Sequence, residues 1–337
     1  MAVLKLRKPY LLYLGDAVQK SDVKTAYGLR DWCREDVLGE WAHSAARVTL
    51  GLARLSPREA AGNQAGSMVI GVAPTGGVLP ERWLDDLEAG IDAGLDIVSG
   101  LHTRLGSFPR LVQAAGRSGS QLIDVRHSSH AFAVASGRKR TGKRVLTVGT
   151  DCALGKKYTA LALTQSLRAK GAAASFRATG QTGIMIAGEG IAIDAVISDF
   201  IAGAAEQLSP DNAPEHWDVI EGQGALFHPA YAAVTLGLLH GSQPDAIVLC
   251  HNPERLTIED YPGFKIPPLP EAIETYLSAG RLTNRAIRCV GVSINSSSLS
   301  TEEWHQYRRC VHEELGLPVC DPLRGGVDDL AAALLDH

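Results

Sequence analysis

Short apolar runs that end in glycine or polar turn residues, each followed by a longer amphipathic stretch, recur along the chain. In its first part they are "YLLYLGDA", "ARVTLGLA", "GSMVIGVAPTGG", "LDIVSGLH" and "SQLIDVRH". Such alternation builds a parallel sheet covered by helices, because strands buried on both faces read as continuous apolar runs. The stretch "PERWLDDLEAGIDAG" sets Trp83, Leu84, Leu87 and Ile91 at helical spacing behind a proline suited to a first turn. Ligands of these sheets bind beyond the carboxyl ends of the strands. That places Asp16, "PTGG" at 74–77 and "GLHTR" at 100–104 on a rim.

The segment "SGRKRTGKR" at 136–144 is polar, basic and glycine-containing, and it reads as a solvated hinge. No aromatic residues interleave with its charges as a nucleic-acid stacking surface requires. Beyond it the alternation restarts with strand "RVLTVG" and a helix over about 156–170. Strands "AASFRATG", "WDVIEG", "DAIVLC" and "IRCVGVSIN" follow, with helices around 193–206, 229–240 and 270–280 and from about 301, and a last strand and helix. The expected organisation is an α/β chain of two domains, a parallel-sheet domain over 1–138 and a second α/β domain over 139–337.

A formal charge of -4 over 337 residues leaves no basic field for nucleic acid and no polybasic arm for membranes, so a small-molecule substrate is expected. The six cysteines form no C-x-x-C pair, and several lie beside apolar runs, as reduced thiols of a cytoplasmic protein do. The amino terminus has no signal-peptide pattern, and the apolar stretch from Gly183 carries Glu189, Asp194 and Asp199. A homo-oligomer is the expected assembly on symmetry grounds.

"GTDCALGKKYT" (149–159) follows the strand "RVLTV" and precedes a helix. Backbone amides of such a loop and the helix N-terminus direct positive dipole at an anion, glycine permits the tight path, and lysine adds a full charge. The candidate binding residues are Gly149, Thr150, Asp151, Cys152, Ala153, Leu154, Gly155, Lys156, Lys157 and Tyr158. The strict nucleotide-loop spacing is not met, because Thr150 occupies the first-glycine position. Lys157 stands where such a loop carries a Ser or Thr for Mg²⁺, which argues against an Mg-dependent NTPase.

"FRATGQTGIMIAG" (176–188) gathers Arg177, Thr179, Gln181 and Thr182 after the next strand, as a ligand rim would; an ordinary polar turn with Arg177 in a surface ion pair is the alternative. Asp194 and Asp199 are five apart and do not share one helix face cleanly. In "WDVIEGQGALFHPAY" (217–231), Glu221 closes a strand beside glycine-permitted backbone, where a metal ligand or general base sits in this architecture. Gln223 is the adjacent polar candidate. His228 and His251 stand at strand-helix junctions, as site residues or as hydrogen-bonded structural ones. No Ser-His-Asp order, nucleophile elbow or metal-spaced His pair is present, and no metal is expected.

"GTDCALGKK" and "VIEGQG" resemble local segments of dethiobiotin synthetase, whose loop pattern ends in a threonine that Lys157 replaces here. A fuller resemblance rests on "GTDCALGK", "ATGQTGIMIAG", "DAVISDF", "EGQGALFHPAY" and "GSQPDAIVLCH". Together these are similar to a bacterial and archaeal family with a Rossmann-like N-terminal and a P-loop C-terminal domain, long of unknown function. The resemblance implies D-glutamate N-acetyltransferases that use acetyl-CoA, acting ahead of a racemase in D-glutamate catabolism. It implies that the loop around Lys156 receives CoA phosphates, which need cationic donors but no hydrolytic Mg²⁺. On that reading Glu221 is the expected base or amine orienter, with Asp199 and Asp194 in reserve. Arg177 is the expected carboxylate clamp, Thr179, Gln181, Thr182, Gln223 and His251 are substrate contacts, and the donors of the "ATGQTG" segment supply the oxyanion contacts. An ATP- and Mg-dependent ligase or kinase, or a non-catalytic nucleotide-binding module, is the rival reading.

Overall fold

The computed structural model describes residues 4–72, 74, 77–127 and 131–336. Thr75 and Gly76 of the "PTGG" rim lie outside the described residues. The chain divides into two compact units, Met1–Ser129 with Gly180–Ala195, and His130–Thr179 with Val196–His337.

The first unit holds a parallel sheet of β1 (Tyr10–Tyr13), β2 (Val37–Trp41), β3 (Ser67–Ile70), β4 (Asp96–Ser99) and β5 (Leu122–Asp124), in the order β2-β1-β3-β4-β5. Its helices are α1 (Lys24–Trp32), α2 (Pro57–Gly62), α3 (Leu84–Asp92) and α4 (Pro109–Ser118). The run "ARVTLGLA" is not a strand. The second strand is the less apolar "VLGEW", whose buried Glu40 takes the Thr49 hydroxyl at 2.5 Å and the Leu50 amide at 2.7 Å. The apolar run therefore covers β2, and Gly39 lets it approach: a Cβ there would lie 2.4 Å from the Ala53 carbonyl. Asp16 on the rim is occupied by Arg82 Nε at 2.6 Å and the Trp83 indole at 2.9 Å.

In the second unit the parallel strands are β6 (Lys143–Gly149), β7 (Ala174–Arg177), β8 (Trp217–Ile220), β9 (Ala246–His251), β12 (Arg288–Ile294) and β13 (Val319–Cys320). Their order is β13-β12-β9-β6-β8-β7, and β10 (Thr257–Ile258) with β11 (Tyr261–Lys265) forms a separate antiparallel pair. The helices are α5 (Lys156–Ala169), α7 (Ile201–Leu208), α8 (Ala232–Ser242), α9 (Leu269–Gly280), α10 (Thr301–Leu315) and α11 (Asp328–Leu335). Val145, Val219 and Val248 pack with Leu163, Leu167 and Leu330 in its core. Each such side chain contributes about 1.5–3 kcal/mol by leaving water. Strand order reverses at β6, between β8 and β9, so the loops leaving these three strands converge where α/β sheets place ligands.

Two further expectations change. The basic segment 136–144 is no solvated hinge, because Arg140 and Arg144 are buried. Arg140 donates to the carbonyl of Ser209, the C-cap of α7, at 2.7 Å, and to that of Gly241 in the last turn of α8 at 2.8 Å. Cations belong at helix C-termini, whose carbonyls lack intrahelical partners. The single helix expected around 193–206 is two 3-10 turns followed by α7, and an additional helix, α6 (Gln181–Ala187), belongs to the first unit. The described helices include none long and apolar enough to cross a membrane.

Candidate active site

The loop after β6 carries the anion-binding features in three dimensions. Ala153 and Gly155 both adopt left-handed backbone, at φ 54° and 101°. That conformation is strained for alanine and free for glycine, and strain of this kind collects at functional turns. Gly155 is the N-cap of α5, so the first amides of a 14-residue helix open onto the loop without intrahelical acceptors. Lys156 is buried and donates from Nζ to the Asp151 carbonyl at 2.8 Å. Burial pushes its ammonium below the ordinary lysine range. Lys157 is half-buried over the Tyr158 ring at 4.8 Å. Burial lowers its pKa too, while the Glu221 carboxylate opposes that shift. Thr159 is not free to replace the missing loop hydroxyl: its Oγ1 donates to the Gly155 carbonyl at 3.1 Å and meets Ser293 Oγ at 2.7 Å.

At the end of β8, Glu221 is 4% exposed. Its Oε2 accepts the Thr179 amide at 3.0 Å, and its carbonyl accepts the Thr179 hydroxyl at 2.6 Å. Gln223 donates to that hydroxyl from Nε2 at 3.1 Å. Gly222 is required by close approach, since a Cβ there would fall 1.7 Å from the Thr147 carbonyl and 3.0 Å from Lys156 Cδ. At the end of β9, His251 is buried with Nδ1 2.9 Å from Thr150 Oγ1, and burial pulls its pKa down to about 4, which keeps it neutral.

Asp151 is fully buried and organises the loop. One carboxylate oxygen takes Arg255 Nη1 at 3.0 Å and the Glu259 amide at 2.8 Å, tying in the β10-β11 pair; the other takes the Cys152 amide at 2.6 Å. Cys152 Sγ, one Asp151 oxygen and one His228 ring nitrogen all lie within 4.8 Å of one another. The His228 ring is 3% exposed and stands 4.5 Å from the Tyr231 ring and 5.1 Å from that of Tyr261.

Loop residues 149–158, Thr179, Glu221, Gln223 and His251 thus come together at the strand reversal. Arg177 does not join them: its Nε donates to the buried Asp218 carboxylate at 2.7 Å, turned back along the sheet from the carboxyl end. Gln181, Thr182 and Asp194 belong to the first unit. There Gln181 packs at Gly100, Thr182 meets the Thr25 hydroxyl at 3.0 Å, and Asp194 is ion-paired with Arg126. Asp199 is exposed on a 3-10 turn. The convergence of Asp151, Cys152 and His228 escaped the sequence reading, because no spacing rule joins a loop to a residue beyond two further strands.

A parallel α/β unit with an anion loop at its strand reversal, joined to a Rossmann-like sheet, defines a two-domain P-loop protein class. Within that class the chain belongs to the DUF1611 family: residues 132–331 match its P-loop domain and 35–128 its Rossmann-like domain, both described as of unknown function. The fold and the family resemblance expected from sequence are both borne out. Relatives named D-glutamate N-acetyltransferase come from a Pseudoalteromonas species and from Tritonibacter scottomollicae. The first is 46% identical, covering 98% of this chain and all of the relative; the second is 44% identical, covering 98% and 99%. The crystal structure of a DUF1611 family protein from Anabaena variabilis is 32% identical, with a TM-score of 0.85 over 98% of this chain and all of that one.

Proposed function

We propose that this protein is a D-glutamate N-acetyltransferase, moving acetyl from acetyl-CoA to the amine of D-glutamate in a step of D-amino acid catabolism. Two relatives of that name, matched at 46% and 44% identity over nearly their full lengths, support the activity. The structural observation that carries the chemistry is a buried carboxylate, Glu221, held beside Lys157 at the mouth of an anion loop.

Amide formation needs three things: an amine stripped of its proton, a thioester carbonyl within reach, and donors for the oxyanion. Glu221 is the base, its position fixed by the Thr179 amide. The amides that open α5 are the oxyanion donors, with Lys156 and Lys157 as counter-charge. Gln223 and His251 border the acceptor. Lys157 in the hydroxyl position, and a Thr159 hydroxyl already engaged, favour acyl transfer over an Mg-dependent ligase or kinase.

The experiment incubates pure protein with D-glutamate and acetyl-CoA, and in parallel with D-glutamate, ATP and Mg²⁺, following free thiol and phosphate. Thiol release that needs D-glutamate and no nucleotide is expected. Turnover that strictly requires ATP overturns the reading.

A further inference from the structure

A row of rings stands beside the anion loop. The His228 ring, with a nitrogen within 4.8 Å of Cys152 Sγ and an Asp151 oxygen, lies 4.5 Å from the Tyr231 ring and 5.1 Å from that of Tyr261. Tyr261 in turn lies 6.2 Å from Phe264. In a chain that is only 6% aromatic, such a row is a local concentration. His228 is buried, whereas Tyr231 is 54% and Phe264 51% exposed. A lone exposed apolar side chain needs no explanation, but exposed rings linked through a residue at a site mark a surface for a ligand or partner.

The row is fixed to the loop from two sides. His228 and Tyr231 lie on the segment that leaves β8 with Glu221 and Gln223 and enters α8, while Tyr261 and Phe264 belong to β11. Asp151 ties that hairpin down by accepting Arg255 Nη1 at 3.0 Å and the Glu259 amide at 2.8 Å. Arg255 also pairs with the Glu259 carboxylate at 3.3 Å. The rings therefore lead outward in a set order, from buried His228 at the loop through Tyr261 to exposed Phe264.

Of the two substrates, D-glutamate offers charge and no π-face, whereas acetyl-CoA ends in an adenine ring. The pantetheine arm separates that ring from the thioester. A donor whose acetyl group lies at Glu221 therefore carries its adenine away from the loop, toward the protein surface. Adenine stacks on aromatic side chains whatever else holds the nucleotide. The exposed neighbours on the hairpin, Glu259, Asp260 and Lys265, are charged. Such a border suits the wet edge of a ligand site and not the centre of a seam between two copies, where charged residues are depleted.

We propose that Tyr231, Tyr261 and Phe264 form the platform that receives the adenine ring of acetyl-CoA, an inference that rests on acetyl-CoA being the donor. Phe264, at the exposed end of the row, is its main contact. The platform sets the preference for the nucleotide-bearing donor over a bare acyl-pantetheine.

Thiol release by the wild type from acetyl-CoA and D-glutamate is scored first. Phe264→Ala should then raise KM for acetyl-CoA about tenfold, with Tyr231→Ala in the same direction, while KM for D-glutamate and the melting temperature hold. Phe264→Tyr keeps a π-face and should restore the wild-type KM. With S-acetylpantetheine, which lacks the adenosine, wild type and Phe264→Ala should turn over equally. An unchanged KM for acetyl-CoA in both alanine variants, or a loss shared equally by the two donors, overturns the inference and leaves the function standing. A change of oligomeric state on size exclusion would assign the rings to a seam between copies and overturn it as well. Absence of wild-type turnover overturns the function and the inference together.

Discussion

Thr179 and Glu221 hold each other twice, the Thr179 amide on the Glu221 carboxylate at 3.0 Å and the Thr179 hydroxyl on the Glu221 carbonyl at 2.6 Å. The pair joins the chain leaving β7 to the chain leaving β8 and holds the Glu221 carboxylate in place. Both residues stand just beyond strand ends, where sheets of this kind place their ligands.

Glu221→Gln retains an acceptor for the Thr179 amide and removes the base. A kcat loss of about 10²–10⁴-fold is expected, with little change in melting temperature. Steady-state kinetics alongside thermal unfolding checks it, and a variant with near-normal kcat removes Glu221 from the role.

Arg177 and Asp218 form a pair with a structural signature. Asp218 is 1% exposed, takes Arg177 Nε at 2.7 Å and has His216 Nε2 at 3.5 Å. Arg177→Met leaves a buried carboxylate short of its main counter-charge, at a cost of about 3 kcal/mol. Urea unfolding should show that loss while KM for D-glutamate stays close to wild type. A raised KM without loss of stability would instead mark Arg177 as a substrate clamp.

The strand-loop-helix of the anion loop, and Glu221 at a strand end, were legible because they depend on local order: an apolar run, a glycine, then helical periodicity. What escaped depends on partners distant in sequence. Glu40 looks foreign to a buried strand until Thr49 and Leu50 are seen to satisfy it. Arg140 looks solvated until the ends of α7 and α8 present their carbonyls. The Arg177 side chain could face rim or sheet, and only the burial of Asp218 decides. His228 comes within 4.8 Å of Cys152 because β8 pairs directly with β6, a fact of topology rather than of pattern.

The Arg140 contacts make the supposed hinge a stability element. Arg140→Met removes charge-assisted donors from Ser209 and Gly241, leaving the Ser209 carbonyl only the longer Arg144 Nη2 contact at 3.4 Å. Bonds to charged groups contribute about 1.5–3 kcal/mol each, so the urea midpoint should fall clearly while kcat holds. An unchanged midpoint would show that solvent replaces the guanidinium at no cost.

His251 ties stability to pH. Burial holds its folded pKa at about 4, below the ordinary 6.5, so the unfolded chain takes up a proton first as pH falls. The stabilisation from the neutral buried ring is complete above the unfolded pKa and is lost as pH drops toward 4, by about 3 kcal/mol at most. His251→Gln keeps a partner for Thr150 Oγ1 and cannot titrate. Urea unfolding of both proteins between pH 7 and pH 4.5 should show the wild type losing more stability than the variant, whatever offset the substitution causes at neutral pH. Parallel losses would mean that His251 is protonated in the folded state as readily as in the unfolded chain, and that its burial at the end of β9 gives way to water in acid.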